Sequence, residues 1–461
     1  AGIADFMLTK YADKKEMCSI LKNFTSVITD TADSMGNLDD EISELILSAE
    51  DSINKVKDLH AHIDKKSDFS IHNLPFGILS KNNIDSIGVA IGAYVLDLGA
   101  MYDLGYFNNI DSGDVYHSSY LNDFINLGKE KTSEIRLLIQ KELCDEHSVL
   151  KSKFKRFFHV QNEVIMKLPI RIGDYTDFYS SKFHAENVGK LFRDPENALP
   201  PNWLTMPIAY HGRSSSIVVS GTEITRPCGQ SFSNDKTELR HQPSSLLDFE
   251  LEMATIIGRE NTLGNPISCD DAQDYVFGYA LFNDWSARDL QKWEYQPLGP
   301  FTGKNFASTL SPWIVMTDAL EPFKANVIEQ VEPLNYLKSV DPFSYDIELL
   351  AFVNGVEVTN TNFKHLYWNP SQQIAHHTVN GCNLRVGDIL ASGTISGPGK
   401  TGKGCLLEIT EGGKKPLILK NGEQRLFLQD GDEVRLKGSC ARGDIRIGFG
   451  DNWGVIKANK L

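Results

Sequence analysis

The sequence predicts a mainly β protein with some α-helix, arranged as two β regions preceded by a helical extension. Three observations carry this. Residues 1 to 66 contain neither Pro nor Trp and space their apolar residues helically. From residue 67 onward, short alternating apolar runs are broken by Gly and Asn. After Ile170, strand patterns with Gly/Pro punctuation dominate, with few helical periods between them. A chain of 461 residues also exceeds one ordinary core, so domains are expected at residues 1–66, 67–170 and 171–461.

In the extension, Met17, Leu21, Phe24 and Ile28 form one apolar stripe, and Ile42, Ile46, Ala49, Ile53, Val56 and Ile63 form a second that also carries His60. The turn Ser34-Met35-Gly36-Asn37 separates them and predicts a helical hairpin. Its seam either packs on the body of the protein or self-associates, since about three heptads are marginal alone. The runs "SDFSIHNLPFGILS" and "SIGVAIGAYVLDL" then predict a small barrel or sheet, left by a Lys/Glu-rich helical stretch around Gly128 to Lys155. Beyond it, "SIVVSGTEI", "LLDFELEMATIIG", "YDIELLAFVNGVEV", "CLLEI" and "DEVRLKGSC" read as strands of an antiparallel or mixed sheet.

Composition narrows function. With 41% hydrophobic and 23% charged residues the chain has the makeup of a soluble globular protein, and its net charge of -15 opposes nonspecific nucleic-acid binding. Its seven cysteines are scattered without CxxC spacing, which suits reduced thiols in the cytosol. No apolar run reaches membrane-spanning length, acidic residues near the start disfavour a signal or transit peptide, and Asn23-Phe24-Thr25 is read as a chance sequon. A cytoplasmic location is expected. The stretch "GTISGPGKTGKGCLLEI" imitates a Walker loop but fails in both registers: five residues separate Gly393 from Gly399-Lys400-Thr401, and Gly404 replaces the hydroxyl after Lys403. It is read instead as a basic turn between two strands.

Several stretches carry groups suited to chemistry. Glu250 and Glu252, two apart in an apolar strand, project from one face; they are either an exposed ordinary pair or, if buried, ligands of a hard divalent ion that offsets their repulsion. Asp177 and Tyr179 share a strand face, and Ser180 or Ser181 caps a helix with His184 in its first turn, a general base or a surface histidine. Arg193 further along faces an anion or pairs with Asp194 or Glu196. A helix read from Asp284 would put Arg288, Gln291 and Tyr295 on one polar face one turn after that carboxylate, with Lys304 presented after Gly303. Thr394 before the glycine turn and Glu408 on the following strand point to one pocket. His376 and His377 are read as neighbours on one strand with hydrogen-bonded structural roles.

The blocks "DFSIHNLPFG", "IGDYTDFYSSKFHAENVG", "LLDFELEMA", "FNDWSARDLQKWEYQPLGPF" and "VNGCNLRVGDILASGTISG" together resemble the fumarylacetoacetate hydrolase family, from about Ser67 to the C terminus. The resemblance implies a small N-terminal β-barrel of the Src-homology-3 type, a C-terminal mixed β-sandwich roll, a homodimer, and hydrolysis of fumarylacetoacetate to fumarate and acetoacetate. It implies Ca2+ and/or Mg2+ on Asp177, Glu250, Glu252 and Asp284, with Lys304 and Ser308 adjoining; animal members carry Thr at the place of Ser308. By the same resemblance His184 is the base and Glu408 its orienting partner. Arg288, Gln291 and Lys304 stabilise the oxyanion, and Tyr179, Arg193, Gln291, Tyr295 and Thr394 contact the substrate. Two other readings stand beside it: a hydrolase of a different 2,4-dioxo acid, and an inactive metal-binding scaffold acting through the extension. Every group named here lies beyond residue 66, so a chain lacking residues 1–66 is expected to release fumarate at the full-length rate; loss of turnover in a folded truncated chain, assayed directly, would contradict this.

Overall fold

A computed structural model describes residues 67–110, 113–233, 237–420 and 422–460. The expected helical hairpin of residues 1 to 66 lies outside the described residues.

Strands β1 (Phe76–Lys81), β2 (Ile84–Ile91) and β3 (Tyr94–Asp97) follow one another through tight turns, and β4 (Phe158–Val160) and β5 (Ile165–Lys167) return after helix α1 (Lys129–Cys144). They form one five-stranded antiparallel sheet in the order β4-β3-β2-β1-β5. Asn82 and Asn83, both at positive φ, make the turn between β1 and β2, because a short amide side chain tolerates the left-handed region.

The elements that position the site follow in chain order: β6 (Tyr175–Phe178), α2 (Lys182–Phe192), β7 (Ala209–His211), β8 (Ile217–Val219), β9 (Ile224–Thr225), β10 (Leu247–Asp248), β11 (Leu251–Ile257), β12 (Val276–Asp284), β13 (Ser286–Ala287), α3 (Arg288–Glu294), β14 (Ser308–Leu310), β15 (Glu348–Val353), β16 (Val356–Asn362), α4 (Pro370–Thr378), β17 (Ile389–Ala391), α5 (Leu406–Ile409), β18 (Glu433–Arg442) and β19 (Ile445–Lys457). The central sheet runs β7-β6-β17-β11-β12-β14-β8, with Val315–Met316 paired beside β12. Its β6/β17 and β14/β8 pairs are parallel and the rest antiparallel. A second sheet runs β16-β15-β18-β19-β9. Its β15–β16 hairpin turns on Asn354-Gly355, both at positive φ, the turn chemistry that matches the twist of the flanking strands.

The central sheet is covered on both faces, which explains its unbroken apolar runs. Tyr279 and Leu281 of β12, with Leu251, Met253 and Ile257 of β11, enter a core shared with Leu349, Val434 and Leu436 of the second sheet. Phe277, Ala280 and Phe282, with Ala254 and Ile256, enter another shared with Phe76, Ile87 and Phe124 of the N-terminal region. A one-residue slip would exchange the two sets, so the register is fixed from both sides.

Four readings of the sequence are corrected. Asp284 ends strand β12 and helix α3 starts only at Arg288, because the chain stays in sheet pairing with β14 through Asp284 and then, as β13, with β10. "CLLEI" is not a strand: Leu406–Ile409 is a short helix, and the Asp248 carboxylate takes the N–H groups of Leu406 and Leu407 and starts that turn. The glycine-rich turn therefore joins a strand to a helix. His376 and His377 lie on helix α4, started by Asn369 in a capping box with Gln372 and by Pro370 in the first turn. Their expected hydrogen bonds are present, from His377 Nε2 to Thr176 Oγ1 at 2.9 Å and from His376 Nδ1 to Tyr336 Oη at 3.0 Å.

Gly393 sits at φ +75°, where a Cβ would run into the carbonyl oxygen of Phe178, and its N–H donates to Glu252 Oε2 at 3.1 Å. Gly393→Ala should lower unfolding free energy by about 2 kcal/mol or more, read from the denaturant midpoint. A loss below about 0.5 kcal/mol, the range of an ordinary surface change, would contradict the close approach.

Candidate active site

Strand parity builds the acidic cluster. On the face that buries Ala254, Ile256 and Phe282, the same alternation brings up Glu250 just before β11, Glu252 within it and Asp284 at the end of β12. Leu251 pairs with Asn283, so one step further along this register Glu250 faces Asp284. Asp177 of β6 joins them through β17, where Ala391 pairs with both Asp177 and Ala254. The four carboxylates Asp177, Glu250, Glu252 and Asp284 are all buried, with ligand oxygens within 4.8 Å of one another. Both possibilities left for the Glu250/Glu252 pair are thereby reduced to the buried one.

Two cations partly balance this charge. Lys304 Nζ lies 2.6 Å from Asp284 Oδ2 and 3.0 Å from Glu250 Oε2. Arg288 NH1 lies 2.6 Å from Glu250 Oε1, and its Nε donates to Asp248 Oδ2 at 2.9 Å. Ser308 donates to Asp284 Oδ1 at 2.8 Å and Tyr210 to Asp284 Oδ2 at 3.1 Å. Burial works to raise Glu250, but Lys304 and Arg288 overcome it and hold the carboxyl well below the usual range. Burial followed by the Asp284 charge pushes Asp177 well above that range, and burial followed by Asp177 and Glu250 does the same to Glu252. Asp284 is also raised by burial, against the pull of Lys304. Asp177 Oδ1 and Glu252 Oε1 are buried with no hydrogen-bond partner. Orphaned acceptors in an all-oxygen donor set are what a hard divalent cation satisfies, and the residues present therefore fit such an ion.

A second cluster stands beside the first. Ser181 caps α2 by accepting from the backbone N–H of His184, as the sequence predicts, and so fixes the helix turn that carries this residue. His184 Nδ1 lies 2.7 Å from Glu408 Oε2. Glu408 also accepts from Asn187 at 2.8 Å and from Ser396 at 2.8 Å, and Cys405 Sγ is 3.3 Å away. Burial works to raise Glu408, yet His184, Asn187 and Ser396 outweigh it and keep its carboxyl below the ordinary value. A carboxylate accepts only, so the Nδ1 facing it carries the proton and Nε2 keeps a free lone pair. The Tyr179 ring, just past the end of β6, meets His184 edge-on at 5.3 Å between centroids.

The remaining residues occupy the surroundings. Gln291 Oε1 accepts from Arg288 NH1 at 3.2 Å, and Arg288 NH2 is buried without a partner. Thr394 is buried and its hydroxyl is likewise unpartnered. Arg193, the C-cap of α2, is exposed and donates to the Ala198 carbonyl at 2.7 Å. Tyr295, the C-cap of α3, is 49% exposed, so these two lie on the rim and not in the buried cluster. Sequence reasoning missed Asp248, Tyr210, Asn187 and Ser396. Asp248 was within reach, since Asp248, Glu250 and Glu252 continue one two-residue spacing; the other three carry no local signal.

Residues 175–451 match the family described as Fumarylacetoacetate (FAA) hydrolase C-terminal, and residues 72–169 match Fumarylacetoacetase N-terminal. The chain belongs to the fumarylacetoacetate hydrolase family. It is 48% identical over 411 residues to a Fumarylacetoacetase of Dictyostelium discoideum, covering 86% of this chain and 96% of that protein. It is 47% identical to those of Arabidopsis thaliana and Homo sapiens, again over 86% of this chain and 98% and 97% of theirs.

Burial and the neighbouring carboxylates push Asp177 and Glu252 above the ordinary carboxyl range, so protons compete with a divalent cation for these oxygens. Calcium or magnesium affinity should therefore fall as pH falls, and binding should release protons. Calorimetry in two buffers of different ionisation enthalpy measures this, and pH-independent binding without proton release would sink the assignment.

Proposed function

We propose that this protein hydrolyses the carbon–carbon bond of 4-fumarylacetoacetate to fumarate and acetoacetate, the last step of tyrosine and phenylalanine breakdown. The observation that carries the reading is an under-neutralised, all-oxygen cluster beside an imidazole held by a buried carboxylate. The likeness to fumarylacetoacetases of Dictyostelium discoideum, Arabidopsis thaliana and Homo sapiens supports the substrate.

Asp177, Glu250, Glu252 and Asp284 would hold Ca2+ or Mg2+, with Lys304 and Ser308 adjoining through Asp284. When bound, the cation supplies positive charge that polarises the diketone and offsets the negative charge of the departing enolate. His184 Nε2 takes a proton from water as its oxygen attacks the carbonyl carbon, since water alone is a poor nucleophile at neutral pH. Glu408 keeps the ring in the tautomer this needs and stabilises the imidazolium that forms. Arg288, with its unpartnered NH2, stabilises the developing oxyanion together with Gln291 and Lys304, and loss of one such donor costs about 3 kcal/mol. The bond to the acetoacetate carbon then breaks, and the imidazolium returns its proton to that carbon.

Tyr179 and Thr394 line the inner end of the substrate site, where the free Thr394 hydroxyl has a partner to gain. Arg193 and Tyr295 at the rim meet the outer part of the diacid. The same reading carries the homodimer and the cytoplasmic location, supported by the family likeness; among the described residues no helix is long and apolar enough to cross a membrane.

His184→Ala should lower turnover by about 10²- to 10⁴-fold with cation affinity retained. The assay follows fumarate against pyruvate release, because a hydrolase of another 2,4-dioxo acid yields a different product. Unchanged turnover in the variant would remove His184 from the chemistry, and absence of fumarate from the unaltered protein would overturn the substrate.

A further inference from the structure

Asp248 belongs to neither cluster, yet it touches an element of each. It is fully buried at the end of β10. Its Oδ1 accepts from the N–H of Leu406 at 2.7 Å and of Phe249 at 2.9 Å. Its Oδ2 accepts from the N–H of Leu407 at 2.9 Å and from Arg288 Nε at 2.9 Å. All four contacts are donated to it, so both oxygens act as acceptors, with Arg288 and the N–H groups working against the burial that raises its carboxyl.

What those donors belong to gives the residue its meaning. Leu406 and Leu407 open helix α5, which has no cap from Cys405, the residue before it. Asp248 caps that helix from another strand. Glu408 is the third residue of the helix, and it holds His184. On the other side, Arg288 reaches Glu250 and Gln291 with NH1 and leaves NH2 free. A guanidinium held at Nε by one carboxylate has its plane fixed, which fixes where NH2 points.

We propose that Asp248 is a positioning residue that sets the oxyanion-stabilising Arg288 and the proton-handling His184–Glu408 pair in register with one another. This rests on the function proposed above. One carboxylate, by accepting from both elements, fixes the separation between the group that receives negative charge and the group that moves the proton, and a misplacement of this kind costs rate disproportionately. An amide here sets its NH2 against two donors in either orientation, Arg288 Nε with the Leu407 N–H or the Leu406 N–H with the Phe249 N–H, and removes the negative charge that Arg288 faces. Asp248→Asn therefore loosens the hold on helix α5 in both orientations and weakens that on Arg288 with almost no change in volume.

The test is steady-state kinetics of Asp248→Asn with fumarate release as readout, beside calorimetric cation affinity. Expected are a kcat lower by about 10²- to 10³-fold, a KM changed less than about 3-fold, and an unchanged cation dissociation constant, because the lost interactions act in the transition state. A merely structural aspartate would instead disturb KM and cation affinity along with kcat. Combining D248N with Arg288→Lys and, separately, with Glu408→Gln should give rates close to the slower single variant; independent multiplication of the effects in both pairs would overturn the coupling. Should D248N not fold, Leu406→Pro removes one of the donated N–H groups at a helix position that accepts proline, and it should reproduce the kcat loss with KM held. Full kcat in whichever variant folds overturns the proposal while leaving the function standing. An unaltered protein that releases no fumarate overturns the function itself, and the proposal with it.

Discussion

The site is organised by an electrostatic deficit. Four buried carboxylates share a space that offers two side-chain cations, and one of these, Arg288, divides its charge with Asp248 outside the group. Burying unpaired carboxylates costs several kcal/mol each, so the sheet must be stable enough to hold them in place. The two cores on its faces supply that stability. That deficit is what pushes Asp177 and Glu252 above the ordinary carboxyl range; with a divalent ion bound, the same geometry becomes a ligand set.

The imidazole pair follows a different economy. Glu408 is buried, but its oxygens are surrounded by donors from α2 and from the loop after β17. It stays charged without a metal because every lone pair facing protein has a partner, which is why its pKa moves opposite to that of Glu252. Two carboxylates at similar depth thus serve different ends, one available to a cation and the other committed to a histidine.

Much of this was legible in the chain, and the failures share a cause. The two-residue spacing of Glu250 and Glu252 and the Ser181 cap before His184 are local patterns, and each survives folding. The sheet class was legible for the same reason, since alternation and Asn-Gly turns are local. "CLLEI" was misread because its helical state depends on a carboxylate more than 150 positions earlier in the chain. Asp284 was misplaced because pairing with strands on both sides outlasts the point where the polar helical pattern begins. Tyr210, Asn187 and Ser396 were missed because their partners, Asp284 and Glu408, are remote in sequence.

The covering of the central sheet by the N-terminal region has a practical side. Phe277, Phe282, Ile256 and Leu310 find their neighbours among Phe76, Ile87 and Phe124, which lie in the region before residue 171. A fragment carrying only the later residues would keep every group assigned to chemistry and still expose a broad greasy sheet face to water. The first region therefore does for the second what a partner subunit does elsewhere, keeping a sheet face dry, and a designer who trims the chain to its reactive half would have to re-clothe that face with polar side chains.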